Sequence, residues 1–134
     1  MDIQRSETMS IQSSADVVLV RQAVRQWAVE LRFSLVDQTK IVTAASELAR
    51  NTLDYGGGGM VKLEALHEGI RRGLRLTFED SGPGIPDLDL ALKDGFTTGG
   101  GLGMGLSGTK RLVNEFNIVS QVGKGTCVTI TKWK

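Results

Sequence analysis

The sequence predicts an α+β fold, a two-layer α/β sandwich with helices on one face of a mixed, mostly antiparallel sheet. Strand-like runs come in adjacent pairs instead of alternating singly with helices, and two helical patterns stand together near the start. A glycine-rich segment then leads directly into a third helix before the chain closes on another pair of strands. The 134 residues suit one domain, 1–134, with a single core.

The elements follow in order. Residues 8–14 alternate around Met9 and Ile11, which predicts a short first strand. Asp16 is a candidate N-cap, and Val17, Val20, Val24, Ala28 and Leu31 recur at helical spacing up to Arg32, with Trp27 expected in the core. A second helix is predicted from near Val36-Asp37 to about Tyr55, with Ile41, Ala44, Ala45 and Leu48 on one face, and Gly56 to Gly59 end it. Met60 to Leu66 and Leu74 to Asp80 alternate apolar and polar residues around a turn at Gly69 to Gly73, the pattern of an antiparallel pair with one wet face. Pro83 and Pro86 interrupt, and a weak, short helix is expected around Leu88 to Asp94. A further helix is expected from about Gly105 to Glu115 or Phe116, and then a hairpin of Asn117 to Val122 and Thr126 to Trp133.

Composition excludes several functions. Sixteen basic residues against fifteen acidic ones leave no basic surface excess of the kind nucleic-acid binding needs. No apolar run approaches the roughly 20 residues that span a bilayer, and the first residues lack the apolar core of a signal peptide. The single cysteine, Cys127, has no internal disulfide partner, which fits a reducing cytoplasm. Its place in a strand-like run predicts a small buried side chain.

Three motifs carry chemistry. Glu47 and Asn51 are four residues apart on the second helix and so share one face. A carboxylate can orient or deprotonate a hydroxyl, and an amide oxygen is a hard ligand suited to Mg²⁺. The same pair also suits a plain solvated surface. Asp80-Ser81-Gly82-Pro83-Gly84-Ile85-Pro86 puts an aspartate at a strand end before a tight turn, where it can accept from an exocyclic amine while the backbone folds under a flat ring. An ordinary turn has the same composition. Between Gly99 and Gly108 six of ten residues are glycine, and helix formers follow, so backbone N–H groups and a helix start converge as they do at phosphate sites. A flexible surface loop is the alternative. Gly103-Met104-Gly105-Leu106-Ser107-Gly108 matches the dinucleotide pattern, but no strand precedes it and no acidic residue follows Glu115, which excludes a Rossmann site. Walker, H-R-D and D-F-G signatures are also missing.

Taken together and in this order, the motifs resemble the N box (Glu47, Asn51) and two glycine boxes (Asp80, Gly82, Gly84; Gly101 to Leu106) of the GHKL, or Bergerat-fold, ATPases. Gly123-Lys124-Gly125-Thr126 stands where that superfamily has its last motif. Ser46 to Asn51, the short segment Asp94 to Gly100, Lys110-Arg111-Leu112 and the Lys132-Trp133 ending are similar to the small serine/threonine kinases of bacterial partner switching, above all the RsbT-type stressosome switch kinases. The resemblance covers nearly the whole chain.

It implies an ATP- and Mg²⁺-dependent kinase that phosphorylates a STAS-domain anti-sigma-factor antagonist or stressosome protein, with a partner phosphatase or sigma factor as further partners and neither nucleic acid nor membrane. Glu47 would be the catalytic base or orient the hydroxyl, and Asn51 would bind Mg²⁺ and nucleotide. Asp80 would accept from the adenine amine with Thr126 helping through water, and Gly82 and Gly84 would form the floor beneath the base. Thr98, Gly99, Gly100, Gly101, Leu102, Gly103, Met104, Gly105 and Leu106 would close over the phosphates. Lys110 is either a phosphate contact or a solvated lysine, and His67, the only histidine, is expected at the surface and not as a phosphoryl acceptor. The competing function is a nucleotide-binding regulatory module, an anti-sigma factor or phosphatase activator with little turnover. An ATPase domain cut from a larger enzyme fits less well, since the motif set is complete.

Overall fold

The computed structural model describes residues 2–87, 92 and 105–134. Five strands, β1 (Asp2–Ile11), β2 (Gly59–Glu68), β3 (Arg71–Asp80), β4 (Glu115–Gln121) and β5 (Gly125–Trp133), form one sheet in the order β1-β2-β3-β5-β4. Every pairing is antiparallel, so the sheet is the antiparallel limit of the expected class. Helices α1 (Ser14–Glu30), α2 (Leu35–Asp54) and α3 (Gly105–Arg111) complete the described elements.

Alternation along the strands builds the core. Val61, Leu63 and Ala65 of β2, Leu74, Leu76 and Phe78 of β3, and Val128 and Ile130 of β5 share one face and are buried against Val20, Val24, Ile41, Ala45 and Leu48 of the two long helices. Trp27 joins them in the core, as expected. The expected helix around Leu88 to Asp94 lies outside the described residues, apart from Leu92, which packs on the core.

Pairing with β2 extends β3 back to Arg71, so the turn expected at Gly69 to Gly73 shrinks to Gly69-Ile70, and pairing with β5 starts β4 at Glu115 and not Asn117. Three further boundaries differ because hydrogen bonds outcompete the local pattern. β1 starts at Asp2 because its polar first half is held by pairing with β2, not by burial. It ends at Ile11, where Ser13 caps α1: the Ser13 hydroxyl accepts from Asp16 N at 3.2 Å and the Asp16 carboxylate accepts from Gln12 N at 2.8 Å. Asp16 is therefore the third residue of the helix, not its cap. α3 stops at Arg111, short of Glu115, because Asn114 is claimed by β5: its N–H donates to Thr131 O at 3.0 Å and its side chain accepts from Trp133 N at 2.7 Å.

Helix ends are closed with similar care. α1 finishes in a Schellman turn, with Phe33 N donating to Ala28 O and Arg32 N to Val29 O, which puts Arg32 at φ 65° and tucks Phe33 into the core. Ser34 caps α2, and Asp37 in its first turn pairs at 3.5 Å with the buried ammonium of Lys132 on β5.

The second face of the sheet carries an ionic cluster. Glu64 is only 4% exposed, receives a 2.9 Å hydrogen bond from Arg75 Nε and lies 3.8 Å from Lys62 Nζ. The hydrogen bond from Arg75, then the Arg75 and Lys62 charges, hold the Glu64 carboxyl below its ordinary range against the opposing effect of burial. A depressed carboxyl stabilises the fold above its unfolded titration range, and that contribution disappears as pH falls through the folded value. Glu64→Gln is expected to cost about 2 kcal/mol at neutral pH. In urea unfolding the gap from wild type should narrow below about pH 4; an equal gap at pH 7 and pH 3.5 would contradict the assignment.

Candidate functional site

The register lines up Gly59, Asp80, Thr126 and Ser120 as one row across β2, β3, β5 and β4. All four stand on the helix-facing side, at the sheet end where β3 stops. Asp80 is half-buried, and its Oδ1 accepts from Gly82 N at 2.9 Å and Thr126 N at 3.3 Å. Oδ2 accepts no hydrogen bond among the described residues. One carboxylate oxygen thus fixes the turn, and the other keeps its acceptor positions open among the described residues.

The turn after Asp80 is laid against its neighbours by close backbone approach. A Cβ on Gly82 would stand 2.7 Å from Gly56 Cα, and Gly84 takes φ 78° with its Cα against the Gln121 carbonyl. Pro83 O accepts from Gly123 N at 2.8 Å, and Ile85 N donates to Ser120 Oγ at 2.8 Å, so the turn is fastened to the β4–β5 hairpin.

α2 brings the second set of groups. Leu48, Ala49 and Thr52 are buried on the core side, and Glu47 and Asn51 occupy a half-buried flank. Among the described residues neither of these two side chains makes a hydrogen bond or ion pair. The helix closes with Tyr55 N and Gly56 N both donating to Asn51 O, and Gly58 N to Thr52 O. The chain then passes Gly56 directly beneath Asp80, so closely that a Cβ there would overlap the Asp80 carboxyl carbon. The end of α2 and the Asp80 turn are therefore one packed unit. α3 packs on α2, with Leu106 and Thr109 buried and the Thr109 hydroxyl bonded to Gly105 O at 3.1 Å. The arrangement puts the Asp80 carboxylate and the Thr126 hydroxyl side by side at the sheet end, and a carboxylate and an amide on the adjoining helix.

Residues 36–134 match the model of the histidine kinase-, DNA gyrase B- and HSP90-like ATPases. The chain belongs to this ATPase family. It is 47% identical over 123 residues, 92% of each chain, to the serine/threonine-protein kinase RsbT of Bacillus subtilis (strain 168). It is 30% identical to an anti-sigma F factor of Clostridium kluyveri, over 91% of this chain and 89% of that one. Among solved structures, the RsbU and RsbW domains of Rv1364c from Mycobacterium tuberculosis superpose with a TM-score of 0.65 at 22% identity, covering 96% of this chain and 32% of that one. The mycobacterial sensor histidine kinase MprB gives a TM-score of 0.57 at 17% identity, covering 96% and 97%. At these identities both share the fold.

Of the residues expected to serve an ATPase of this family, Asp80, Gly82, Gly84 and Thr126 come together in one cluster, and Gly56 joins α2 to it. Gly105 and Leu106 begin α3; Thr98, Gly99, Gly100, Gly101, Leu102, Gly103 and Met104 lie outside the described residues. Lys110 is exposed on α3, and His67 sits half-buried within β2. Cys127 lies on the other face of the sheet and is half-buried instead of fully buried, because the helices pack on the opposite face; burial first and the Glu79 charge second push its thiol up.

Two residues escaped the sequence motifs. Gly56 reads as a helix terminator, and nothing local reveals that it lies under Asp80. Ser120 had a signal: it follows Phe116 and Ile118 at inward positions, so a hydroxyl there faces the interior. Gly56→Ala fits the local backbone but not the space beside Asp80, so it is expected to weaken ATP binding by about tenfold or more through the displaced carboxylate. Isothermal titration checks this, and an unchanged dissociation constant would show that Asp80 does not need the gap.

Proposed function

We propose that the protein is a serine/threonine protein kinase of a bacterial partner-switching pathway, using ATP and Mg²⁺ to phosphorylate a STAS-domain antagonist or stressosome protein in the cytoplasm. The observation that carries this is the 47% identity, along 92% of both chains, to a serine/threonine-protein kinase. The described helices include none long and apolar enough to cross a membrane.

Asp80 binds the adenine amine through its free Oδ2, and Thr126 helps through a water molecule. Gly82 and Gly84 let the backbone lie flat beneath the base. Thr98 to Met104, the residues that lead into α3, would contact the triphosphate, and Gly105 and Leu106 open α3 behind them, with Leu106 turned into the core. Asn51 contributes one neutral amide oxygen, and among the described residues no cluster of three or more His, Cys, Asp or Glu side chains exists. That donor set suits Mg²⁺ arriving on the triphosphate, with phosphate and water completing its shell, better than a resident metal. Mg²⁺ bound there supplies charge neutralisation on the phosphates. Glu47, one helical turn before Asn51, accepts the proton of the substrate hydroxyl. The hydroxyl oxygen bonds to the γ-phosphorus, the bond from that phosphorus to the β–γ bridging oxygen breaks, and ADP leaves.

A nucleotide-binding regulatory module remains the second reading, favoured by the 30% identity to an anti-sigma F factor. In that case the protein holds a sigma factor or activates a phosphatase with little turnover.

Intact-mass spectrometry of a co-purifying partner, before and after Mg²⁺-ATP, separates the two. The kinase adds one phosphoryl group, and Glu47→Ala is expected to slow transfer by about 10²–10⁴-fold while retaining ATP. A stable complex with no mass change would overturn the kinase function. Asp80→Asn replaces an acceptor with a donor facing the amine, and is expected to raise the ATP dissociation constant about tenfold or more; equilibrium dialysis measures it, and wild-type affinity would remove Asp80 from the base site.

A further inference from the structure

Between Glu47 and Asn51 stands a cation that none of the roles above uses. Arg50 is exposed on α2, and its Nη1 reaches across to the hydroxyl of Ser14, the first residue of α1, at 3.4 Å. Among the described residues this is its only polar contact. Glu47 stands three residues before it and Asp54 four after it, the spacings at which helix ion pairs form, yet neither carboxylate pairs with it. A guanidinium carries five N–H donors in a fixed fork, so most of this one is unspent.

We infer that Arg50 recognises the protein substrate, and that the partner presents a carboxylate beside the hydroxyl to be phosphorylated. The inference rests on the kinase function proposed above. Helix geometry separates the two sides of Glu47. At about 100° per residue, Asn51 lies about 40° to one side of Glu47 and Arg50 about 60° to the other. Glu47 therefore stands between the amide proposed for the nucleotide and the guanidinium. The Asn51 side takes Mg²⁺ and the triphosphate on that reading. The other side is bordered by the start of α1, which the contact between Arg50 and Ser14 marks.

Phosphoryl transfer needs the attacking and leaving oxygens roughly in line. With the base at Asp80 and the metal at Asn51, the hydroxyl arrives from beyond Glu47, and the protein that carries it covers the rim where Arg50 is exposed. Covering an unpaired guanidinium is costly unless an acceptor meets it, and a carboxylate matches its fork with two parallel hydrogen bonds. The neighbouring carboxylates of this chain are spoken for. Asp16 at the start of α1 accepts from Gln12 N at 2.8 Å, and Glu47 is needed for the substrate hydroxyl. The acceptor therefore comes from the partner.

The test measures phosphoryl transfer to the co-purifying partner as its concentration is varied, in wild type, Arg50→Ala and Arg50→Glu. Arg50→Ala should raise the KM for the partner about tenfold, with kcat and the ATP dissociation constant near wild type. Arg50→Glu, which sets like charges face to face, should raise it further. The wild-type KM should climb with salt more steeply than that of Arg50→Ala. A loss of ATP affinity, or of kcat at unchanged KM, would place Arg50 on the nucleotide or the moving phosphoryl group and overturn the inference. So would equal KM values in wild type and Arg50→Ala, or equal effects of the Ala and Glu replacements. If the wild type transfers no phosphoryl group to the partner, the kinase function itself fails, and this role of Arg50 with it.

Discussion

The antiparallel register of β3 against β5 is the constraint on which the site depends. It sets Asp80 opposite Thr126 and, one strand further, Thr126 opposite Ser120, all on the face that the helices cover. Side chains alternate with a period of two, so a slip of β3 by one residue would send Asp80 to the other face together with Leu76 and Phe78, away from Thr126, Val128 and Ile130. The apolar core and the polar recess are therefore specified by the same pairing, and burial of the aliphatic residues is what holds the aspartate in place. Two Asp80 Oδ1 hydrogen bonds then convert sheet register into turn geometry.

α2 is the second fixed body. Its core face is pinned by Ile41, Ala45 and Leu48, its start by the Ser34 cap and the buried Lys132–Asp37 pair, and its end by the glycine passage under Asp80. Both ends are thus tied to the sheet, one to Lys132 near the end of β5 and the other to the last residue of β3. Glu47 and Asn51 sit between these anchors, on a helix fixed to the sheet at both ends, which suits the positioning role proposed for them. Lys132 also has a physical reason to be there: a buried ammonium without Asp37 would carry a large desolvation cost.

Much of this was legible in the sequence because it is written in local period and punctuation. The alternation of Val61, Leu63 and Ala65 and of Leu74, Leu76 and Phe78 marked the hairpin, the 3.6-residue stripes marked both long helices, and Glu47, Asn51, Asp80, Gly82 and Gly84 appeared as spaced motifs. What stayed hidden depends on contacts distant in the chain. The early start of β1 follows from pairing with β2 and not from its own polar residues, and α3 ends early because Asn114 binds the backbone of β5. Gly56 against Gly82, and Ser120 against Ile85, join residues whose sequence neighbours give no hint of the partner.

A crystal structure with a non-hydrolysable ATP analogue and Mg²⁺ tests the central claim most directly. The adenine amine is expected within hydrogen-bond distance of Asp80 Oδ2, with Thr126 reaching the base through water, and the metal on the Asn51 amide oxygen with Glu47 facing the terminal phosphate. A base seated away from the Asp80–Thr126–Ser120 row, or phosphates directed away from α2, would contradict it.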